Sequence, residues 1–346
     1  MHRSNTTLAA AVLTNALAAS CALFTGAHAS AQALGWGDNS AGQTMLPQGE
    51  PVAAVAGGFY HSVVLYRNGT LAFVGDNAFG QCSPPSFGNP RGIAAGAFHT
   101  VVMDGGLVRC FGDDSFGQCA VPSGLGYPLE ISAGVYHSAV RTAAGVTCWG
   151  WNGDGQCNVP PSLGPVASVA AGGFHTVALR LDGVVESWGS NSDGQVAKSI
   201  RAQRIAAGTN HTLAIDETGR VAAWGANHEG QCDVPIDLDD VVAVAAGAYH
   251  SLALTSSGLV RGWGSNAFGQ LAQPCGKPMQ GIAAGALHSL SFHNCSADLN
   301  ADGVVDANDV MVILANWATN AGDLNCDGIV DSIDLSMLLM SWGSCP

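Results

Sequence analysis

Ala171-Gly172-Gly173-Phe174-His175-Thr176-Val177-Ala178-Leu179, running on to Trp188-Gly189-Ser190-Asn191 and Gly194-Gln195, decides the architecture because it recurs. A segment of the form A-G-x-x-H-[ST] places its histidine at His61, His99, His137, His175, His211, His250 and His288, with Gly57 in the alanine's place in the first copy. The steps are 38, 38, 38, 36, 39 and 38 residues. A second segment, an aromatic or valine followed by G-x-[ND]-x-x-G-Q, ends at Gln43, Gln81, Gln118, Gln156, Gln195, Gln231 and Gln270. A fixed period of this length marks repeated supersecondary units.

Within the unit, Val166 to Ala171 is an apolar run that Gly172-Gly173 interrupts, and Thr176 to Leu179 is the next strand. Asp182-Gly183 is a hairpin signal, since glycine tolerates the positive φ of tight turns. Val184 to Trp188 returns. Three to four short strands in about 38 residues is the content of one propeller blade. One such sheet cannot bury both of its faces, so the units must stack around an axis. The chain opens on a Trp36-Gly37…Gly42-Gln43 half-unit, and the His288 half-unit has none after it. Pairing the two halves in one blade removes two exposed edges. The expected fold is all-β, a seven-bladed β-propeller over residues 34–293.

The unit resembles the regulator of chromosome condensation repeat family, A-G-x-x-H-T-x-A-L…G-x-V-x-x-W-G-x-N-x-x-G-Q. The resemblance covers about residues 34–293 and departs at Val74 and Phe111, which replace the tryptophan, and at Asn210 and Leu287 before the histidine. It implies a seven-bladed propeller. Nuclear members of that family exchange guanine nucleotides on a small GTPase and dock on chromatin. A secreted bacterial propeller that inhibits β-lactamases is the relative whose compartment agrees with the features described next. Fold alone assigns no function.

Arg3, the Ala/Leu-rich stretch Leu8 to Phe24 and Ala31-Gln32-Ala33 read as an export signal over residues 1–33, with Ala29 an alternative cut. Lipid attachment through Cys21 is the competing reading, but Ala18-Ala19-Ser20 lacks the usual leucine. No other stretch is long and apolar enough to span a bilayer. A secreted or cell-surface location follows. The net charge of −14, with Lys198 and Lys277 the only lysines, opposes nucleic-acid binding. Ten cysteines remain after the signal. Cys110–Cys119 and Cys148–Cys157 are matching pairs nine residues apart, open to bonding within a blade; Cys82–Cys110 and Cys119–Cys148 would instead staple neighbours.

The seven histidines read as structural, each imidazole bonded to backbone inside its own blade. The residues just before them, Tyr60, Phe98, Tyr136, Phe174, Asn210, Tyr249 and Leu287, are mostly aromatic and should face one end of the ring. Tyr60, Phe98, Tyr136, Phe174 and Tyr249 are therefore candidate partner-binding residues, packing between blades being the alternative. No catalytic constellation stands out: G-x-S-x-G, a Walker loop and H-E-x-x-H are absent, and Asp113-Asp114 and Asp239-Asp240 read as solvated surface.

After Cys295 the composition changes. Asp298, Asn300, Asp302, Val304, Asp306 and Asp309 occupy positions 1, 3, 5, 7, 9 and 12 of a calcium loop, with Gly303 at 6. Asp323, Asn325, Asp327, Ile329, Asp331 and Asp334 repeat the pattern 25 residues later. Short helices are expected over Val310–Ala315 and Leu335–Met340. The pair is similar to the dockerin type I family, which carries aspartate at position 12 and binds cohesin modules through loop positions 10 and 11. Those positions here are Ala307-Asn308 and Ser332-Ile333, not the frequent Ser-Thr. Residues 296–346 are thus expected to form a small α-helical module binding two calcium ions. The whole reads as a secreted protein-binding scaffold, the tail module attaching it to a cohesin-like or cell-surface receptor. A polysaccharide-acting enzyme with its site in the axial mouth, or a purely structural surface protein, are the alternatives.

Overall fold

The computed structural model describes residues 32–196, 200–272, 278–293, 297–300, 304–319, 322–324 and 329–344. The repeats fold as antiparallel three-stranded sheets, seven among the described residues. In the first, β2 (Val52–Gly57), β3 (His61–Tyr66) and β4 (Leu71–Gly75) pair in sequence order, after β1 (Gln32–Gly37), which belongs elsewhere. The first strand of each sheet packs on the first strand of the next, and Gly281–Ala284 packs on β2, so the contacts form a closed cycle.

The middle strands explain why the sheets must stack. All six residues of β3 are buried, on both faces of the pleat. Successive side chains point to opposite faces, so Val63 and Val64 need a cover on each side. Neighbouring sheets supply it. The last sheet has the order β1, His288–His293, Gly281–Ala284, so the N-terminal strand closes the cycle, with Leu34 opposite Ser291 and Trp36 opposite Ser289. Ala33 is 1% exposed in a cluster with Val52, Tyr66 and Phe292.

A polar relay runs around the interior. His61 Nε2 donates to Thr100 Oγ1 of the next sheet at 3.0 Å, and that hydroxyl donates to the Gln81 carbonyl at 2.9 Å. The same link joins every neighbouring pair, ending with His288 to Ser62, 226 residues apart in sequence at 2.9 Å. Because each hydroxyl hydrogen goes to a carbonyl, the hydrogen between hydroxyl and imidazole is assigned to Nε2, leaving Nδ1 unprotonated. The expected bond to backbone within the same sheet is therefore corrected: the imidazole is a tie between sheets. Where tryptophan is present, its indole joins the same carbonyl, as Trp149 Nε1 does at Gln118, 2.9 Å away. Val74 and Phe111 forgo that bond.

The glycine three residues before each histidine is fixed by crowding, not by φ. A Cβ on Gly58 would overlap the His61 ring and lie 2.5 Å from the Gly96 carbonyl of the next sheet. The sheets approach this closely only because that position has no side chain.

Each G-Q turn is held by its glutamine. Gln81 Oε1 accepts from Phe79 N at 2.9 Å, and Gln81 Nε2 donates to Asp76 at 2.9 Å. Gln43 and Gln118 use Asp38 and Asp113 in the same way. Asp113 is buried and also accepts from Ser115, so of the pair expected at the solvated surface only Asp114 is exposed. In the last turn Ser265 replaces the aspartate, and Gln270 Nε2 is buried without a partner. An unmet buried donor costs about 1–3 kcal/mol. Ser265→Asp should supply the acceptor and raise stability by about 1 kcal/mol, read as a higher urea midpoint at unchanged m-value.

Cys110 and Cys119 form a disulfide within one unit, which excludes the two staples between units proposed for them. Cys82, Cys148, Cys157 and Cys232 are thiols. In the C-terminal segment, α1 (Ala307–Ala315) and α2 (Ser332–Met340) contact each other over Val305, Ile313, Leu324, Val330 and Leu338.

Candidate functional site

Register fixes which residues share an end of the ring. His61 pairs with Gly75, and His288 with Gly37, so the turn before each histidine and the G-Q turn open at the same end. Tyr60, Phe98, Tyr136, Phe174 and Tyr249 all stand there, the first four half-buried and Tyr249 50% exposed. The structure also brings in residues that sequence reading passed over. Phe79 leans on Phe98 with ring centroids 5.3 Å apart. Phe116 contacts both Tyr136 and Trp151 at 4.9 Å, and Tyr136 reaches Phe174 at 6.4 Å. Phe59 bridges Tyr60 and Phe98. The signal was the residue two before each Gly-Gln glutamine: it is Phe79, Phe116 and Phe268 in three units, and Asp154, Asp193 and Glu229 in three others.

Packing between units and exposure to a partner, the two readings of these aromatics, are both visible and fall on different residues. Tyr60, Phe98, Tyr136 and Phe174 are half-buried among their neighbours, whereas Tyr249, Phe79, Phe116, Trp151 and Phe268 are 50%, 52%, 43%, 37% and 51% exposed. Clustered apolar exposure of this kind is a docking feature on a soluble protein. An axial cavity of about 450 Å³ reaches this end, lined by small residues such as Ala95, Gly134 and Ala284 and by Phe59. Ser132 and Thr209 carry the hydroxyls in that lining, and no titratable side chain contributes to it.

The histidines lie beneath this surface, fully buried. Burial holds His61, His99, His137, His175 and His250 at about 3, helped by the charge of neighbouring histidines, and His211 and His288 at about 4. Their Nδ1 atoms have no hydrogen-bond partner. They are neutral ties at neutral pH, not exposed acid–base groups.

In the C-terminal segment, Asp306 and Asp331 cap α1 and α2, and Asp309 and Asp334 complete both capping boxes. Asp309 accepts from Leu299 N at 2.7 Å and Asp306 N at 2.9 Å; Asp334 accepts from Leu324 N at 2.6 Å and Asp331 N at 2.8 Å. Each position-12 carboxylate thus ties the start of its loop to the start of its helix. Asp298, Asp309, Asp323 and Asp334 are buried, whereas Val304 and Ile329 are exposed. Asn300 lies at the first loop's third position. Asp302, Asn325 and Asp327 fall outside the described residues. Among the described residues, no group of three or more His, Cys, Asp and Glu side chains is placed to hold a metal ion.

A ring of repeated three-stranded sheets with its loops gathered at two ends defines a β-propeller. Residues 91–118, 130–156, 166–195, 202–231 and 241–270 match the Regulator of chromosome condensation (RCC1) repeat, each match ending on a turn glutamine. Similar solved structures include human WBSCR16, at 18% identity over 76% of this chain and 98% of that one, with TM-score 0.65. Prp20p from Saccharomyces cerevisiae matches at 17% over 79% and 93%, TM-score 0.66. The ectodomain of the Physcomitrella patens receptor kinase CR4 matches at 22% over 68% and 69%, TM-score 0.58. The matched repeats are similar to the RCC1 repeat, and the solved structures share the propeller fold. No curated protein matches the chain.

Proposed function

We propose that the chain is an exported protein-binding scaffold, a seven-bladed propeller that recognises its partner at the histidine end and is attached through a calcium-ordered C-terminal module. The observation that carries this reading is the gathering of exposed aromatics at the histidine end of the ring. Rigid aromatic side chains held by a closed scaffold bury large areas at low entropic cost. The scaffold role agrees with the RCC1-like propeller Prp20p, whose structure is described with its binding to Gsp1p and histones. An enzyme of the axial mouth would need converging carboxylates; the acidic side chains of this end stand on the G-Q turns instead, while the lining is built of small residues. A pull-down with the intact protein tests the reading. Phe79→Ala with Phe116→Ala should abolish capture of any partner the wild type retains, with the melting temperature kept as a control for folding.

Calcium is the cation that the tail's chemistry fits. Eight aspartates and no lysine or arginine lie between residues 296 and 346, and four of those carboxylates are buried. Oxygen ligands at alternate positions suit a hard divalent ion. Calorimetric titration of the chelator-treated protein should show two bound calcium ions, with proteolysis between residues 296 and 346 suppressed on binding. Absence of heat and of protection would remove the module's metal.

Export bears on where the mature chain starts. β1 begins at Gln32, and Ala33, whose carbonyl accepts from Gln48 Nε2 at 2.7 Å, is in the core. Cleavage after Ala33 would cut into that strand, whereas cleavage after Ala29 leaves it whole. N-terminal sequencing of the exported protein is expected to begin at Ser30; a start at Leu34 would contradict this.

A further inference from the structure

The charges of the propeller are sorted by end. All nine described arginines stand at, or in the half of the sheet toward, the end away from the histidines. Four of them are paired with acids there: Arg109 with Asp104 at 3.9 Å, Arg141 with Glu130 at 3.1 Å, Arg180 with Asp182 and Glu186 at 2.8 Å, and Arg261 with Asp237 at 3.1 Å. The G-Q turns of the histidine end, residues 38–43, 76–81, 113–118, 151–156, 190–195, 226–231 and 265–270, contain no lysine or arginine. They carry Asp38, Asp76, Asp114, Asp154, Asp193 and Glu229 besides the buried Asp113. The one basic side chain in those turns is His228, 3.7 Å from Asp193. Lys198 and Lys277 lie outside the described residues.

The residues at the turn tips are also sorted around the rim. Three consecutive turns put Asp154, Asp193 and Glu229 at their tips, and the next turns in the cycle put Phe268, Ala41, Phe79 and Phe116 there. The tips of one arc are apolar and those of the facing arc anionic, while Asp38, Asp76 and Asp114 stand at the base of turns in the apolar arc. The apolar arc is uneven: Phe59 meets Phe98 at 66° and Phe116 meets Trp151 at 77°. Rings set edge to face leave clefts between them instead of one flat stacking plane. That shape accepts protruding side chains better than the face of a sugar ring.

Resting on the recognition role proposed above, we infer that the partner presents a cationic polypeptide segment to this end, apolar side chains entering the aromatic arc and lysine or arginine meeting the acidic arc. The acids of residues 34–295 also outnumber the lysines and arginines there, which adds a long-range pull in the same direction. Arginine gains further from the exposed rings, whose faces attract cations. An acidic partner would meet like charge over the anionic arc, which rejects wrong partners as effectively as contacts select right ones.

The test uses two synthetic peptides of equal length, one alternating arginine with tryptophan or leucine, the other with glutamate in place of arginine. A neutral glucan oligosaccharide is the third probe, and binding to the full-length protein is followed by calorimetry at low and high salt. The arginine peptide should bind, and more weakly as salt rises. Asp154→Asn, Asp193→Asn and Glu229→Gln together should weaken it by about tenfold, the combined worth of three exposed charge pairs. Phe79→Ala with Phe116→Ala should weaken it at unchanged salt dependence. Equal binding of both peptides, lost in the phenylalanine variant, leaves the recognition face standing and overturns the charge inference. Binding that ignores both variants lies elsewhere and overturns both readings. No binding of the arginine peptide, or binding of the oligosaccharide alone, also overturns the inference.

Discussion

Lowering the pH from 7 should unfold the propeller near pH 5, with most of the loss of stability falling above the range in which carboxylates titrate. The seven interior histidines are neutral in the folded state because burial depresses them to about 3 or 4. In the unfolded chain they take up protons near their ordinary value of about 6.5. The unfolded state therefore binds more protons everywhere between these values, and stability falls as pH drops below about 6.5. Each histidine contributes a slope of about 1.4 kcal/mol per pH unit, so seven contribute about 10. A whole domain has only about 5–15 kcal/mol of stability. Little more than one pH unit below 6.5 is enough to exhaust it. Denaturant melts at pH 7, 6 and 5.5 check this, and His175→Gln should make the slope shallower by about one histidine's share. A free energy of unfolding that stays flat from pH 7 to pH 5 would mean that the interior histidines are not neutral ties.

Removing β1 should have the next largest effect. A chain beginning at Asp38 loses the strand that lies against His288–His293, the Trp36 indole bond to the Gln270 carbonyl, and the burial of Ala33. It also exposes the edge of the middle strand, an aggregation hazard. Net loss of about 5 kcal/mol corresponds to a melting temperature lower by about 10–20 °C for a domain of this size. Added peptide 32–37 should restore part of the loss. An unchanged melting temperature would show that closure through this strand is dispensable.

Much of this was legible in the sequence for a definite reason. The histidine and Gly-Gln spacings are one-dimensional signals, and each histidine indeed begins the middle strand of a sheet. The unpaired half-units at the two ends of the repeat region pointed to the pairing of β1 with His288–His293. The histidine's hydrogen-bond partner was misread, because sequence gives the period of a repeat but not how one sheet is rotated against the next. That rotation is what brings the imidazole to the following sheet's serine or threonine. Phe79, Phe116 and the acidic turn tips were visible as letters. Their meaning depended on knowing that the G-Q turn and the histidine turn open at one end. The arginines were similarly scattered along the chain, and only the ladder registers put them together at the other end.

The most direct test is hydroxyl-radical footprinting of the intact protein with and without its captured partner. Protection confined to Tyr60, Phe79, Phe116, Trp151 and neighbouring turn residues is predicted, with Tyr127 and Leu181 at the other end as reactive as before. Protection of Tyr127 and Leu181 with the aromatic rim left open would contradict the account.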